Sequence, residues 1–136
     1  MKVRQIMTGS AVSVGAGENV EVAARTLHRY NIGALPVCGA DGKVCGMVTD
    51  RDLVMRCVAV GKLPNQTKVR DVMTRQVISV TPETSVEEAR SLMAQGQIRR
   101  LPVTENGRLC GILSLGDLAT HGADGQILSQ ISAHDL

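Results

Sequence analysis

Aromatic side chains are almost absent from this sequence: one tyrosine stands among 136 residues, with no phenylalanine and no tryptophan. That argues against the stacking platforms on which single-stranded nucleic-acid binders depend, and it leaves the core to Val, Leu, Ile, Met and Ala. No apolar run approaches the roughly 20 residues of a membrane-spanning helix. The N-terminal stretch MKVRQIMTGS lacks the apolar segment of a secretory signal, so a cytoplasmic location is expected. A large excess of one charge is missing too, and a formal net charge of +2 gives no basis for a nucleic-acid surface. The four cysteines, Cys38, Cys45, Cys57 and Cys110, form no C-x-x-C pair. Without zinc spacings no metal site is expected, and the thiols read as buried and reduced. Catalytic signatures are also lacking: there is no H-E-x-x-H, no Walker loop and no G-x-S-x-G. His28, His121 and His134 fall on expected helices or on the tail, as surface residues. The chain is not expected to be an enzyme.

What is present is a turn written twice. GMVTDRDL (residues 46–53) ends an apolar run in Thr49, with Asp52 three residues later; GILSLGDL (111–118) does the same with Ser114 and Asp117. A hydroxyl followed at this spacing by a carboxylate is a helix-start signature, in which the side chains satisfy free backbone N–H groups. The same groups can hold a sugar phosphate, because a carboxylate accepts from ribose hydroxyls and the turn suits phosphate oxygens. The motif alone is compatible with both.

The turn is one part of a longer repeat. VRQIMTGSAVSV (from Val3) aligns with VRDVMTRQVISV (from Val69), NVEVAARTL (from Asn19) with SVEEARSLM (from Ser85), and IGALPVCGADGKVCGMVTDRDL (from Ile32) with IRRLPVTENGRLCGILSLGDL (from Ile98). This divides the chain into a first repeat over 1–58, a linker over 59–68, a second repeat over 69–121 and a helical tail over 122–136. Each copy reads as strand, helix, strand, turn, strand, helix, an α/β unit. First strands are expected at Val12 to Val14 and Val77 to Val80. Asn19 and Ser85 are expected helix caps, the latter in a capping box with Glu88. Val20, Ala23, Ala24 and Leu27 mark one apolar helical face, and Val86, Ala89, Leu92 and Met93 the other. The D-G and N-G turns join each LPV run to the strand that follows as a hairpin. One such unit is too small to bury much core. Two copies sharing a face about a pseudo-two-fold axis would solve this and leave a cleft with both turns nearby.

In order and in duplicate, IMT and VMT, SV, V-E-x-A, I-x-x-LPV and G-h-h-[ST]-x-x-D-L (h apolar) resemble a tandem pair of CBS domains, the Bateman module named after cystathionine beta-synthase. The likeness covers nearly everything outside the last 15 residues, and the architecture looks like that of stand-alone bacterial pairs. It implies two α/β repeats packed face to face and a regulatory, ligand-sensing role without a required cofactor. The implied ligand is an adenosine compound: AMP, ADP, ATP, NAD or S-adenosylmethionine. By the family pattern, Asp52 and Asp117 would hold ribose, while Thr49 and Ser114 would help hold phosphate. Adenine would lie against Val12, Val14, Pro36, Ile78, Val80 and Pro102. Arg99 and Arg100, just before the second LPV, would reach the phosphates.

Adjacent guanidinium forks suit phosphate better than lysines do, but the first copy has Gly33 and Ala34 at the equivalent positions. Arg51 could supply one charge there, though Asp50 beside it opposes a phosphate. Two identical sites are therefore not expected. The rival reading is a dimerisation scaffold with unused pockets. The segment DLVMRCVAV (from Asp52) is apolar nearly all round, and Ile127, Leu128 and Ile131 form a further small stripe in the tail. A homodimer is expected on either reading, together with a downstream protein that the sequence does not identify.

Overall fold

The computed structural model describes residues 1–121 of the chain, so the tail over 122–136, with Ile127, Leu128, Ile131 and His134, lies outside the described residues. The described residues divide into two compact units. One comprises residues 12–77, and the other comprises residues 1–11 together with the chain from Ile78 onward.

In the unit of residues 12–77, β1 (Val14–Gly15) pairs parallel with β2 (Ala34–Cys38), which pairs antiparallel with β3 (Val44–Thr49). Helix α1 (Val20–Tyr30) joins β1 to β2 and buries Val20, Ala23 and Leu27. Those side chains pack with Val14, Leu35, Val37, Val48, Leu53 and Cys57 in one apolar cluster. Ala24, expected on this face, is instead exposed: the core contacts Ala23 and Leu27, and the stripe is narrower than the pattern suggested. Asn19 occupies the N-cap position, but its side chain does not cap α1. Its amide donates to the Asn65 carbonyl at 3.1 Å and ties the linker down instead. After β3, α2 (Asp50–Leu53) runs into a single wide turn over Val54–Val58 of the π type.

In the other unit, α3 (Val86–Gly96) buries Val86, Ala89 and Met93, with Leu92 partly covered. Ser85 accepts from the Glu88 N–H at 3.1 Å, which forms one half of the expected box. Strands β4 (Arg100–Glu105) and β5 (Arg108–Ser114) form an antiparallel hairpin, followed by α4 (Leu115–Thr120). The hairpin turns on Asn106 and Gly107, at φ 54° and 82°, the left-handed pair that an N-G turn of the primed type requires. The first strand expected at Val77 to Val80 is reduced to one parallel bridge, Val80 with Val103. Neighbouring Thr81 and Thr84 fold into a local turn, with the Thr81 N–H donating to the Thr84 hydroxyl.

The two units cut across the sequence repeats, because each is completed by the Met-Thr segment that opens the other copy. Thr74 and Met47 exchange backbone hydrogen bonds of 2.8 and 2.9 Å, as do Thr8 and Ile112 at 2.9 and 3.0 Å. Val69, Val72 and Met73 accordingly belong to the core of the 12–77 unit, and Val3 and Ile6 to the core of the other. This crossing explains the glycine shared by C-G-M and C-G-I. A Cβ on Gly46 would stand 2.6 Å from Met73 Sδ and 2.9 Å from the Thr74 carbonyl oxygen. On Gly111 it would stand 2.8 Å from the Thr8 carbonyl oxygen and 2.9 Å from Met7 Sδ.

Candidate functional site

Both hydroxyl–carboxylate turns form reciprocal capping boxes. The Asp52 N–H donates to Thr49 Oγ1 at 3.0 Å and the Thr49 N–H donates to Asp52 Oδ2 at 3.0 Å. In the second copy, Asp117 N–H donates to Ser114 Oγ at 3.1 Å and Ser114 N–H donates to Asp117 Oδ2 at 2.8 Å. The local reason is the abrupt change from extended backbone at Thr49 and Ser114 (φ −115° and −105°) to helix, which leaves N–H groups without helical partners.

The boxes do not exhaust these side chains. Each carboxylate commits only Oδ2 to its cap, and each hydroxyl accepts in the cap while retaining its own proton to donate. Asp52 Oδ1 stands 3.4 Å from the Thr74 hydroxyl, at the limit of a hydrogen bond, and 4.0 Å from Arg56 Nε. Asp117 Oδ1 has no hydrogen-bond partner among the described residues. Capping and ribose binding are therefore compatible in one side chain.

The hairpin register brings further expected residues to these turns. Arg100 is the cross-strand partner of Ser114, and the Arg99 carbonyl accepts from Leu115 N–H at 2.8 Å. The same places in the other unit hold Ala34, opposite Thr49, and Gly33, whose carbonyl accepts from Asp50 N–H at 3.1 Å. Pro36 and Pro102 are buried in β2 and β4. Of the apolar residues assigned to adenine, Val14 and Val80 fill the two cores, at 3% and 4% exposure. Val12 is partly buried and Ile78 is 42% exposed, so these two keep surface to offer.

One feature at the Asp52 turn was missed by sequence reasoning. An open depression of about 450 Å³ in the 12–77 unit is lined by Arg56, Arg70, Asp71, Thr74 and Arg75, among others. Its signal was visible in retrospect: VRDVMTRQ carries arginines where the first copy, VRQIMTGS, has only Arg4 and a Gly-Ser pair.

Among the described residues no group of His, Cys, Asp and Glu could hold a metal ion. Burial raises the Cys38 thiol above its ordinary range, against a hydrogen bond to Ser13 that lowers it; burial likewise raises Cys110, helped by Glu105. No helix of the described residues is long and apolar enough to cross a membrane.

Two α/β units, each built around the same capped hydroxyl–carboxylate turn, define a tandem-repeat α/β protein. The family is the CBS domain: its sequence profile matches residues 3–59 and 69–124, and the chain belongs to it. The chain is 43% identical over 139 residues to the uncharacterized protein YlbB of Bacillus subtilis, with 98% of this chain and 93% of that one covered. It also resembles the crystal structure of Hypoxic Response Protein I with two coordinated zinc ions, at TM-score 0.82 and 36% identity over 89% of this chain and 98% of that one; the Hypoxic response protein 1 sequences it matches are from Mycobacterium tuberculosis. The CBS pair of protein MJ0100, in complex with 5′-methylthioadenosine and S-adenosyl-L-methionine, shares the fold at TM-score 0.76 and 24% identity, over 89% of this chain and 94% of that one.

Proposed function

We propose that the chain is a non-catalytic regulatory module that senses adenosine-containing nucleotides, with Asp52 and Asp117 accepting from ribose hydroxyls. The observation that carries this reading is the second oxygen of each carboxylate, Oδ1, left outside its capping box in both copies. Thr49 and Ser114 retain a hydroxyl proton for a phosphate oxygen, and Arg99 and Arg100 flank the Ser114 turn through the hairpin register. Val12, Val14 and Pro36 in the 12–77 unit, and Ile78, Val80 and Pro102 in the other, are the apolar residues we assign to adenine, with Val14 and Val80 acting from behind as core. The adenosine ligands of MJ0100 support the class of ligand.

A thermal-shift panel of AMP, ADP, ATP, NAD, S-adenosylmethionine and adenosine tests the proposal. A ligand present at about 100 times its dissociation constant adds about 2.7 kcal/mol to the folded state, a shift well above noise. No shift with any member of the panel would leave the scaffold reading in its place.

A second reading has its own observation. Val54, Met55, Val58 and Val60 are 51–61% exposed on and after the wide turn that follows α2, and Leu63 is 55% exposed nearby. A contiguous sequence segment this apolar and this exposed marks an association surface, and we assign it to a symmetric homodimer. Dimerisation and nucleotide sensing are compatible; only pockets that bind nothing would separate them.

A further inference from the structure

Among the described residues, the arginines that line the depression beside Asp52 are not matched at the aligned positions of the other unit. Arg4 aligns with Arg70 but is neutralised by Glu83 at 2.9 Å, Gly9 stands for Arg75, and His121 stands for Arg56. In the 12–77 unit all three places are guanidinium groups, facing one carboxylate, Asp71. Three positive charges against one negative leave +2 in the lining, equal to the formal net charge of the whole chain. Asp71 forms no ion pair with any of the three, and the Arg70 side chain has no hydrogen bond or ion pair among the described residues.

The scaffold beneath these side chains is fixed. Val69, Val72 and Met73 are buried, and the N–H groups of Val69 and Arg70 donate to the carbonyls of Glu18 and Ala16 at 2.9 and 3.0 Å. Arg75 donates to the Arg70 carbonyl at 3.3 Å, which folds it back over the turn. Arg56 donates to the Met73 carbonyl at 3.1 Å, and its Nε stands 4.0 Å from Asp52. Arg56 thus borders both the Asp52 carboxylate and the depression, and its positive charge offsets that negative one for an incoming anion.

We propose that this depression binds the phosphate chain of a nucleoside di- or triphosphate whose ribose is held by Asp52. The inference rests on the ribose reading above and deepens it. The charge missing at Gly33 and Ala34 is supplied by Arg56 at the end of the first repeat and by Arg70 and Arg75 from the segment that opens the second. A single phosphate would engage only part of this set, whereas planar guanidinium forks spread along a chain of phosphates can each pair with a separate group. Adenosine and cationic adenosine derivatives gain nothing from it, so the Asp52 site discriminates by phosphate number.

Calorimetric titration of ATP, AMP, adenosine and inorganic tripolyphosphate tests this with wild-type protein, the Arg70→Ala/Arg75→Ala double variant and Asp52→Asn. Arg70 and Arg75 are exposed, so the double variant should melt as wild type does. Its ATP affinity should fall about 10- to 100-fold, the usual size of lost charge-assisted bonds, with a smaller loss for AMP and none for adenosine. Arg70→Lys/Arg75→Lys should recover part of the loss. An unchanged ATP affinity, or equal losses for ATP and adenosine, would overturn the phosphate assignment while leaving the ribose reading intact. Conversely, if Asp52→Asn leaves adenosine and ATP unaffected, the ribose reading fails at Asp52, and this proposal with it. Tripolyphosphate that binds wild type as tightly as ATP overturns the nucleotide as occupant in favour of free polyphosphate.

Discussion

Replacing Gly46 by alanine tests the interleaving of the two copies, because the clash it creates is with a segment from the other repeat. The new Cβ would meet Met73 Sδ at 2.6 Å and the Thr74 carbonyl oxygen at 2.9 Å. Met73 is 5% exposed, so its side chain has little room to retreat, and the carbonyl is held by the 2.9 Å bond from Met47 N–H. Forcing a methyl into a filled site costs about 1–3 kcal/mol. The lower chain entropy of alanine in the unfolded state returns about 0.4–1 kcal/mol of this. Gly17→Ala is the control, since its Cβ would meet nothing within 4 Å and its φ is not positive. Urea denaturation should show Gly46→Ala destabilised by about 1–2 kcal/mol from these opposing contributions, and Gly17→Ala unchanged or slightly stabilised. Gly111→Ala should behave like Gly46→Ala, through Thr8 and Met7. Equal stabilities of the Gly46 and Gly17 variants would refute the crossing.

Met55→Asp with Val58→Asp should convert a dimer to a monomer in sedimentation, and a wild-type monomer at high micromolar concentration would remove the dimer. Cys38 and Cys110, raised by burial, should alkylate with iodoacetamide more slowly at pH 7 than a free peptide thiol; elemental analysis should find no zinc, and about one zinc per chain would contradict the expectation of reduced, metal-free cysteines. Arg99→Ala with Arg100→Ala should weaken AMP more than adenosine, and equal losses would dismiss their phosphate role.

The repeat, the family and the hydroxyl–carboxylate turns were legible in the sequence because each is a local pattern: Thr49 and Asp52, or Ser114 and Asp117, lie within one turn of chain. The crossing of Met7-Thr8 and Met73-Thr74 onto β5 and β3 was not, because pairing across dozens of residues leaves no local signature beyond an unexplained glycine. The cap at Asn19 failed for a related reason: a remote carbonyl, Asn65, took the side chain that the local rule assigned to the helix. Tertiary competition also reduced the Val77–Val80 strand to a bridge at Val80. At the site, Arg99 and Arg100 stood out as a sequence pair. Arg56, Arg70 and Arg75 are scattered across 20 positions and become a cluster only when the Met-Thr crossing folds them around one depression.

The measurement closest to the central claim is calorimetric titration of adenosine and AMP into wild type, Asp52→Asn and Asp117→Asn. Asparagine can still accept from the Thr49 or Ser114 N–H, so the capping box survives with only the helix-terminal charge lost, a stability change of about 0.3–1 kcal/mol. If the carboxylates hold ribose, at least one variant should bind both ligands more weakly by about 1–3 kcal/mol, the worth of a charge-assisted acceptor in a desolvated site. Unchanged affinity for both ligands in both variants would contradict the account and reduce the two turns to helix caps.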